Sequence, residues 1–346
     1  MQSRPGAVRR HCIPMNSDIL PAIAALLLGL AGLVWGADKF VHGSAGTARN
    51  LGVSRLVIGL TFVSVGTSAP EIIVAIDASL RGVGELAVGN ALGSNLANIG
   101  LVLGVTALIA PLPTQRHLLV HEGPLLLAVT AGAGLCLADT TLGRSESLVM
   151  LMALPCLLWL TLRLKKTHPP EAALAGSGAI PQLTLAGGLF WFAVGLAAML
   201  AGAEALVWSA GVIAREAGVS QLVIGLTLVA VGTSLPELAA SLMSAAKGHH
   251  DIAVGNIFGS NLFNLLAVMP VAGAIAPLEL APAVLTRDFA MLALLTVLLF
   301  GAVLLARRPH RPGHTISRGA GAVLLAGYIA YYGLLAITGQ GAGNGG

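Results

Sequence analysis

The chain carries one unusual stretch twice, as Gly59-Leu-Thr-Phe-Val-Ser-Val-Gly-Thr-Ser-Ala-Pro-Glu71 and as Gly225-Leu-Thr-Leu-Val-Ala-Val-Gly-Thr-Ser-Leu-Pro-Glu237. Each copy places small polar residues, a proline and a carboxylate inside an otherwise apolar segment. A charge in the middle of a membrane helix costs roughly 2.5 kcal/mol or more, so an acidic residue there predicts a functional site. Two of them at matching positions make Glu71 and Glu237 the first candidates.

The composition indicates a polytopic membrane protein. Of the 346 residues, 56% are hydrophobic and only 10% are charged, whereas a soluble domain carries about 25% charged residues. The basic residues are spread over short loops, so the pI near 9.3 reflects membrane topology rather than nucleic-acid binding. Cys12, Cys136 and Cys156 show no metal or disulfide spacing.

Ten apolar segments are long enough to cross a bilayer as helices. They lie at roughly 18–44, 54–80, 86–110, 117–138, 145–164, 183–211, 220–246, 252–276, 286–306 and 318–338. We therefore expect a polar tail at 1–17 (with Met15 as an alternative start), a first five-helix repeat at 18–164, a linker at 165–182, a second five-helix repeat at 183–338 and a Gly-rich tail at 339–346.

The two halves are related by a shift of 166 residues. This shift aligns 52–98 with 218–264 without a gap, and 26 of the 47 aligned positions are identical. Because five is odd, equivalent helices must cross the membrane in opposite directions. The sequence therefore predicts an all-α integral membrane protein with a 5+5 inverted-topology repeat, an architecture that places the substrate site between the repeats near the membrane midplane.

The distribution of basic residues predicts the orientation. Twelve of the nineteen Lys and Arg residues fall in the loops after helices 1, 3, 5, 7 and 9. By the positive-inside rule, the 165–182 loop is cytoplasmic and both termini lie outside the plasma (inner) membrane.

Each motif is expected to form a broken helix. Thr67 and Glu71 are four residues apart and share a helix face, with Ser68 beside them. Pro70 has no amide hydrogen and its ring clashes with the carbonyl four residues back, so carbonyls around Gly66 are released from the helix. The second motif repeats this pattern with Thr233, Ser234, Pro236 and Glu237.

The helix after each motif adds neutral oxygen atoms. On each of these two helices, three polar residues at four-residue spacing share one face. They are Asn90, Ser94 and Asn98 after the first motif, and Asn256, Ser260 and Asn264 after the second. Carboxylate, amide and backbone oxygens suit a hard cation, and neither motif contains His or Cys. Two glutamates balance one divalent cation, and calcium tolerates irregular geometry better than magnesium does. Sodium has similar preferences and could use the same oxygens.

The doubled Gly-Thr-Ser-x-Pro-Glu motif, with Gly-Asn-x-x-Gly-Ser-Asn, resembles the alpha-repeats of the calcium/cation antiporter superfamily, nearest to its prokaryotic sodium/calcium exchanger branch. The resemblance covers the whole ten-helix layout. It implies alternating access at one central site, with outward-moving calcium exchanged for inward-moving sodium. It implies these ligands: Thr67, Ser68, Glu71, Ser94, Asn98, Thr233, Ser234, Glu237, Ser260 and Asn264.

The coupling ion stays open at this point. Some members of the superfamily carry Asp at the position of Asn98 or Asn264, and both are Asn here. Calcium/proton antiport, potassium-dependent sodium/calcium antiport and a calcium channel are the alternatives. A polytopic membrane enzyme is a distant one, because the chain has no His-Glu-x-x-His, Gly-x-Ser-x-Gly or dinucleotide motif. We expect no cofactor, no nucleotide, and a functional monomer.

Other polar groups have simpler interpretations. Asp77 has Met243 at the equivalent position and is expected to be a helix-end charge. His249 and His250 are expected to be solvated in a loop. For Asn95 and Asn261 we expect hydrogen bonds between helices rather than ion binding, although both roles stay open. Asp38 and Glu204 match between the halves, and a gating or structural role fits them as well as a place on the ion path.

Overall fold

The computed structural model describes residues 19–114, 118–167, 181–217, 230–306 and 315–343. Several predicted features lie outside these residues. They are the 1–17 tail, most of the 165–182 linker, positions 218–229 at the beginning of the second motif, and the end of the 339–346 tail.

The described residues are almost entirely helical. The helices are α1 (Ile19–Leu51), α2 (Arg55–Thr67), α3 (Ala69–Leu80), α4 (Gly84–Ile109), α5 (Leu118–Cys136), α6 (Arg144–Thr167), α7 (Leu185–Glu216), α8 (Ala230–Gly232), α9 (Leu235–Ala246), α10 (His250–Ile275), α11 (Val284–Ala306) and α12 (Arg318–Gly343). Four two-residue strands accompany them: β1 (Leu112–Pro113), β2 (Thr141–Leu142), β3 (Leu278–Glu279) and β4 (Thr315–Ile316).

Within these ranges, six helices are long and apolar enough to cross a membrane, and the number is seven if α2 and α3 form one broken span. The six are α1, α4, α5, α7, α10 and α11. Helices α6 and α12 are 24 and 26 residues long. The chain is therefore a helical membrane protein, and the count of ten spans stays a prediction.

The break between α2 and α3 confirms the predicted broken helix. The two segments are bent by 43° at Ser68, and Pro70 is the second residue of α3. Proline favours the first turn of a helix because its missing amide hydrogen is not needed there. In the second repeat, α9 begins at Leu235 with Pro236 in the same place.

The long helices α1 and α7 pack closely through glycines. A Cβ atom on Gly36 would lie 2.8 Å from the carbonyl oxygen of Gly195, and one on Gly29 would lie 2.9 Å from that of Gly202. Higher residue numbers on α1 contact lower residue numbers on α7, so the two helices are antiparallel. Since they occupy equivalent places in the two repeats, this direction agrees with the predicted inversion.

Two short antiparallel strand pairs also connect the repeats. Strand β1 pairs with β4, with Leu112 opposite Ile316. Strand β2 pairs with β3, with Thr141 opposite Glu279. Each pair therefore joins one strand of the first half to one of the second.

Helices α4 and α10 form the centre of the protein. In their most apolar windows, 72% of α4 and 94% of α10 is buried, against 22% for α1 and for α7. Five of the six stripe residues on these two helices are buried, and Asn90 is half-buried. Membrane proteins tolerate polar groups where protein encloses them.

Candidate cation-binding site

The two candidate carboxylates occupy equivalent, fully enclosed positions. Glu71 lies in the first turn of α3 and is 0% exposed, and Glu237 lies in the first turn of α9 and is 1% exposed. A helix N-terminus carries unpaired amide groups and a partial positive charge, so it stabilises a carboxylate placed there. The helix break after Ser68 thus creates a second helix start inside the protein, directly before the first acid.

Each carboxylate accepts a hydrogen bond from a serine of the first repeat. Ser94 on α4 donates to Glu71 Oε1 over 3.4 Å. Ser68, at the break, donates to Glu237 Oε1 over 3.3 Å. The second bond crosses between the repeats, so residues from both motifs surround one point.

Thr67 reaches the second repeat as well. Its hydroxyl donates to Asn256 Oδ1 over 3.2 Å and lies 3.5 Å from Ser260 Oγ. The amide nitrogen of Asn256 donates in turn to Ser241 Oγ over 3.1 Å. When the Thr67 hydroxyl donates to Asn256, the lone pairs of its oxygen can accept a cation.

Several buried polar atoms of the site have no hydrogen-bond partner within the part of the chain that the structure describes. They are Glu71 Oε2, Glu237 Oε2, both amide atoms of Asn98 and of Asn264, and Ser234 Oγ. Leaving a buried polar group unpaired costs about 1–3 kcal/mol, and more for a charged one. A cation that binds these oxygens would remove much of that penalty, so the donor set fits a transported metal ion.

The charge of the site points to a hard cation. Neither Glu71 nor Glu237 forms an ion pair with Lys, Arg or His among the described residues. The same residues contain no group of three or more His, Cys, Asp or Glu side chains that could hold a metal. The site is thus two carboxylates plus neutral oxygens, a set that suits calcium or sodium rather than zinc or copper.

Two π-helical turns shape the site. Asn98 lies in the π-helical part of α4 at Ala97–Leu103, and Asn264 begins the π-helical part of α10 at Asn264–Val268. Such turns add one residue per turn and occur frequently at functional sites. The sequence does not predict these turns, because no residue type marks a π turn.

The family model described as sodium/calcium exchanger protein matches residues 21–163 and 187–336. The chain belongs to this family. Among curated proteins, a putative antiporter, CaxA of Alkalimonas amylolytica, is 43% identical over 92% of the chain and 99% of its own length. Inner membrane protein YrbG of Escherichia coli (strain K12) is 38% identical over 92% and 97%. Sodium/calcium exchanger MaX1 of Methanosarcina acetivorans is 47% identical over 30% of this chain and 29% of its own.

Solved structures lead to the same family. The sodium-calcium exchanger NCX_Mj, soaked with zero Na+ and Ca2+, superposes with a TM-score of 0.77 and 31% identity over 92% of this chain and 99% of its own. The chain is therefore a transmembrane cation antiporter related to the prokaryotic sodium/calcium exchangers. Its family and structural relatives are ion exchangers, not enzymes, which removes the enzyme alternative.

In this exchanger-family chain, the structure brings most of the predicted ligands together. Hydrogen bonds within the central set connect Thr67, Ser68, Glu71, Ser94, Glu237 and Ser260. Asn98, Ser234 and Asn264 are buried, and Thr233 is half-buried at the break before α9. Ser241, which holds Asn256, was missed because its equivalent is Ala75 and the repeat gives no signal there.

The remaining polar groups give one correction. His249, expected to be solvated, is only 3% exposed, and its Nδ1 lies 2.9 Å from Arg55 Nη1. The α9–α10 turn packs against the start of α2, which buries the ring. Asp77 pairs with Arg81 at the exposed end of α3, as expected for a helix-end charge.

Of the paired asparagines of the central helices, Asn95 bonds between the helices. Asn95 Nδ2 donates to the carbonyl oxygen of Asn261 over 3.2 Å, while Asn261 Nδ2 donates to that of Ile257 in its own helix. The expected interhelical role is therefore confirmed for the Asn95 side chain, whereas the Asn261 amide bonds within α10. The Asn95 bond connects α4 to α10 at residues that are equivalent in the two repeats.

Proposed function

We propose that the protein exchanges calcium for sodium by alternating access at the site between the repeats. One observation carries the proposal: Glu71 and Glu237, both fully buried, come from opposite repeats and face a set of neutral oxygens. Two carboxylates together carry the charge that balances one divalent cation. Sodium, with similar oxygen preferences, replaces calcium on the return step.

The proposed ligands are the ten residues inferred from the two motifs. They are Thr67, Ser68, Glu71, Ser94, Asn98, Thr233, Ser234, Glu237, Ser260 and Asn264. Support comes from their burial, the cross-repeat bond of Ser68, and the unpartnered oxygens of the two acids and two asparagines. The name of MaX1, a sodium/calcium exchanger, supports the choice of ions.

The proposal includes a membrane arrangement. Ten spans form a 5+5 inverted repeat in the inner membrane, with both termini outside and the 165–182 loop in the cytoplasm. The antiparallel packing of α1 and α7 supports the inversion, and YrbG, named as an inner membrane protein, supports the location. The exchanger works as a monomer, because both halves of the site come from one chain.

A proton or potassium ion is the alternative coupling ion. The observation that keeps it open is that Asn98 and Asn264 contribute no charge, so the site has two carboxylates among its ten ligands. The number of monovalent ions exchanged for one calcium ion then depends on how many of these ions the neutral oxygens bind at once.

Uptake of radioactive calcium into proteoliposomes tests the proposal. An outward gradient of sodium, potassium or protons is imposed in turn, with the membrane potential clamped. We expect the sodium gradient alone to drive uptake. Uptake driven only by protons or potassium assigns the alternative coupling ion, and the absence of uptake under every gradient excludes calcium antiport.

A further inference from the structure

The long first helix of each repeat carries an acid at an equivalent position, and a base follows the end of each motif helix. Asp38 in α1 and Glu204 in α7 are equivalent under the 166-residue shift, and so are Arg81 and Lys247. Arg81 is the residue directly after α3, and Lys247 is the residue directly after α9. An acid of one repeat can therefore pair with the base of the other.

Asp38 and Lys247 make this pair. Asp38 Oδ1 lies 2.5 Å from Lys247 Nζ, which also donates to the Asp38 carbonyl oxygen over 3.2 Å. The side chains are 35% and 29% exposed, so the contact is partly shielded from water. This ion pair links α1 of the first repeat to the α9–α10 turn of the second.

The equivalent pair is not made. Arg81 Nε instead lies 2.8 Å from Asp77 Oδ2 on its own helix, with side chains 72% and 58% exposed. Glu204 is exposed and forms no ion pair within the described ranges. Met243 stands where the second repeat would need an equivalent of Asp77, so Lys247 has no such competing acid.

The two pairs lie at opposite ends of the broken helix. Arg55 and Arg81 stand at the two ends of the helix pair α2 and α3. The Arg55 end contacts the α9–α10 turn through His249. The Asp38–Lys247 pair is therefore formed near the Arg55 end, while the equivalent Glu204–Arg81 pair is not formed at the Arg81 end. In the proposed ten-span arrangement these two ends face opposite sides of the membrane.

Asn256 and its equivalent Asn90 also differ in burial and in hydrogen bonding. Asn256 is 0% exposed and hydrogen-bonded to Thr67 and Ser241. Its equivalent Asn90 is half-buried, and its amide nitrogen is buried without a partner among the described residues. Two identical side chains thus lie in a closed and a more open environment.

We propose that the two ion pairs alternate during transport. In the opposite state Glu204 takes Arg81 from Asp77, and Asp38 releases Lys247. This inference rests on the proposed alternating access, since inverted repeats exchange their arrangements when access to a fixed site changes sides. Half-exposed ion pairs are weak, so each pair biases the populations about two- to fivefold and does not lock them.

Cysteine cross-linking tests the exchange of partners. In a background with Cys12, Cys136 and Cys156 replaced by serine, one variant carries Asp38→Cys with Lys247→Cys and another carries Arg81→Cys with Glu204→Cys. A protease site inserted within 168–180 separates the halves unless they are cross-linked. We expect the first pair to cross-link without ions, and the second only under an ion gradient that drives transport. Failure of the second pair to cross-link while its reduced form transports would overturn the proposal.

Labelling of Asn90→Cys tests how strongly each ion pair biases the two states, with Asp38, Asp77 and Glu204 replaced one at a time. An impermeant thiol reagent is applied from the Arg81 face. We expect Asp38→Asn, and separately Asp77→Ala, to lower the labelling rate about two- to fivefold, and Glu204→Gln not to lower it. Unchanged labelling in Asp38→Asn would contradict the exchange.

These readouts are separate from the test of function. Labelling and cross-linking report the conformation of the protein whatever ion it carries. If the wild-type protein shows no sodium-driven calcium uptake, the assignment of the ions is overturned, while the exchange of ion-pair partners is still tested by labelling and cross-linking.

Discussion

Ser68 of the first repeat donates a 3.3 Å hydrogen bond to Glu237 of the second. Glu71 instead accepts from Ser94 of its own repeat. Both acids are therefore held by hydroxyls of the first repeat, although the two motifs are nearly identical. The site is therefore formed by both repeats, and the two repeats contribute unequally to it.

Replacing either central acid with its amide should abolish calcium transport. Glu71→Gln or Glu237→Gln removes one of two charges that balance the cation, and removing one partner of a buried charge pair costs about 3–5 kcal/mol, on the order of 100-fold or more in affinity. Sodium-driven calcium uptake and calcium binding measure the effect. The matched control is Glu279→Gln, an exposed acid on β3, which should transport normally. Normal transport in either central variant would remove these acids from the site.

Removing Asn256 should destabilise the ion-free protein more than removing its equivalent. Asn256→Ala leaves the hydroxyls of Thr67 and Ser241 without their amide partner, at a cost of about 1–3 kcal/mol. Asn90→Ala removes an amide whose nitrogen has no partner among the described residues, and should have a smaller effect. Thermal unfolding of both variants without calcium or sodium compares them. Equal losses would mean that the two asparagines have the same environment.

A methyl group at Gly259 should disturb the packing of α10 against α2. Its Cβ would lie 2.7 Å from the Leu60 carbonyl oxygen and 2.6 Å from Ser64 Oγ. We expect Gly259→Ala to lower stability by about 1–3 kcal/mol, as in other overpacked cores. Gly301→Ala on α11 is the control, because no described atom lies within 4 Å of its Cβ position. A thermal midpoint for Gly259→Ala equal to that of wild type would refute this packing.

His249 should make the protein less stable in acid. Burial, followed by the charges of Arg55 and Lys247, lowers its pKa from 6.5 to about 4. The unfolded chain therefore binds more protons between these values, so the contribution of neutral His249 is complete above about pH 6.5 and is lost as the pH falls towards 4. A tenfold change in proton affinity corresponds to about 1.4 kcal/mol, so the full shift corresponds to about 3.5 kcal/mol. Because solvent screens part of this interaction, we expect a loss on the order of 2 kcal/mol.

Unfolding of purified protein across this pH range measures the His249 effect. His249→Gln should flatten the acid limb of the stability profile, whereas His121→Gln, at an exposed position, should leave it unchanged. An unaltered acid limb in His249→Gln would show that the ring does not resist protonation in the folded state.

The sequence predicted the elements that rest on local chemistry. Pro70 in an apolar segment predicted a helix break, and the 43° bend confirms it. The prediction that Asp77 is a helix-end charge, made because Met243 stands at the equivalent position, is confirmed by its pair with Arg81 at the exposed end of α3. His249 was wrongly expected to be solvated, since its burial depends on the start of α2, nearly two hundred positions earlier in the chain. No local pattern records such a contact.

The sequence by itself determined that the chain lies in a membrane, that it repeats, and that Glu71 and Glu237 are equivalent. These conclusions follow from residue type and spacing, which are the same in any conformation. Only the tertiary structure decided that Ser68 binds Glu237 across the repeats, and that Asn256 is enclosed while Asn90 is half-buried. The physical reason is that these contacts join residues far apart in the chain, so identical motif residues acquire different partners through what the whole fold packs against them.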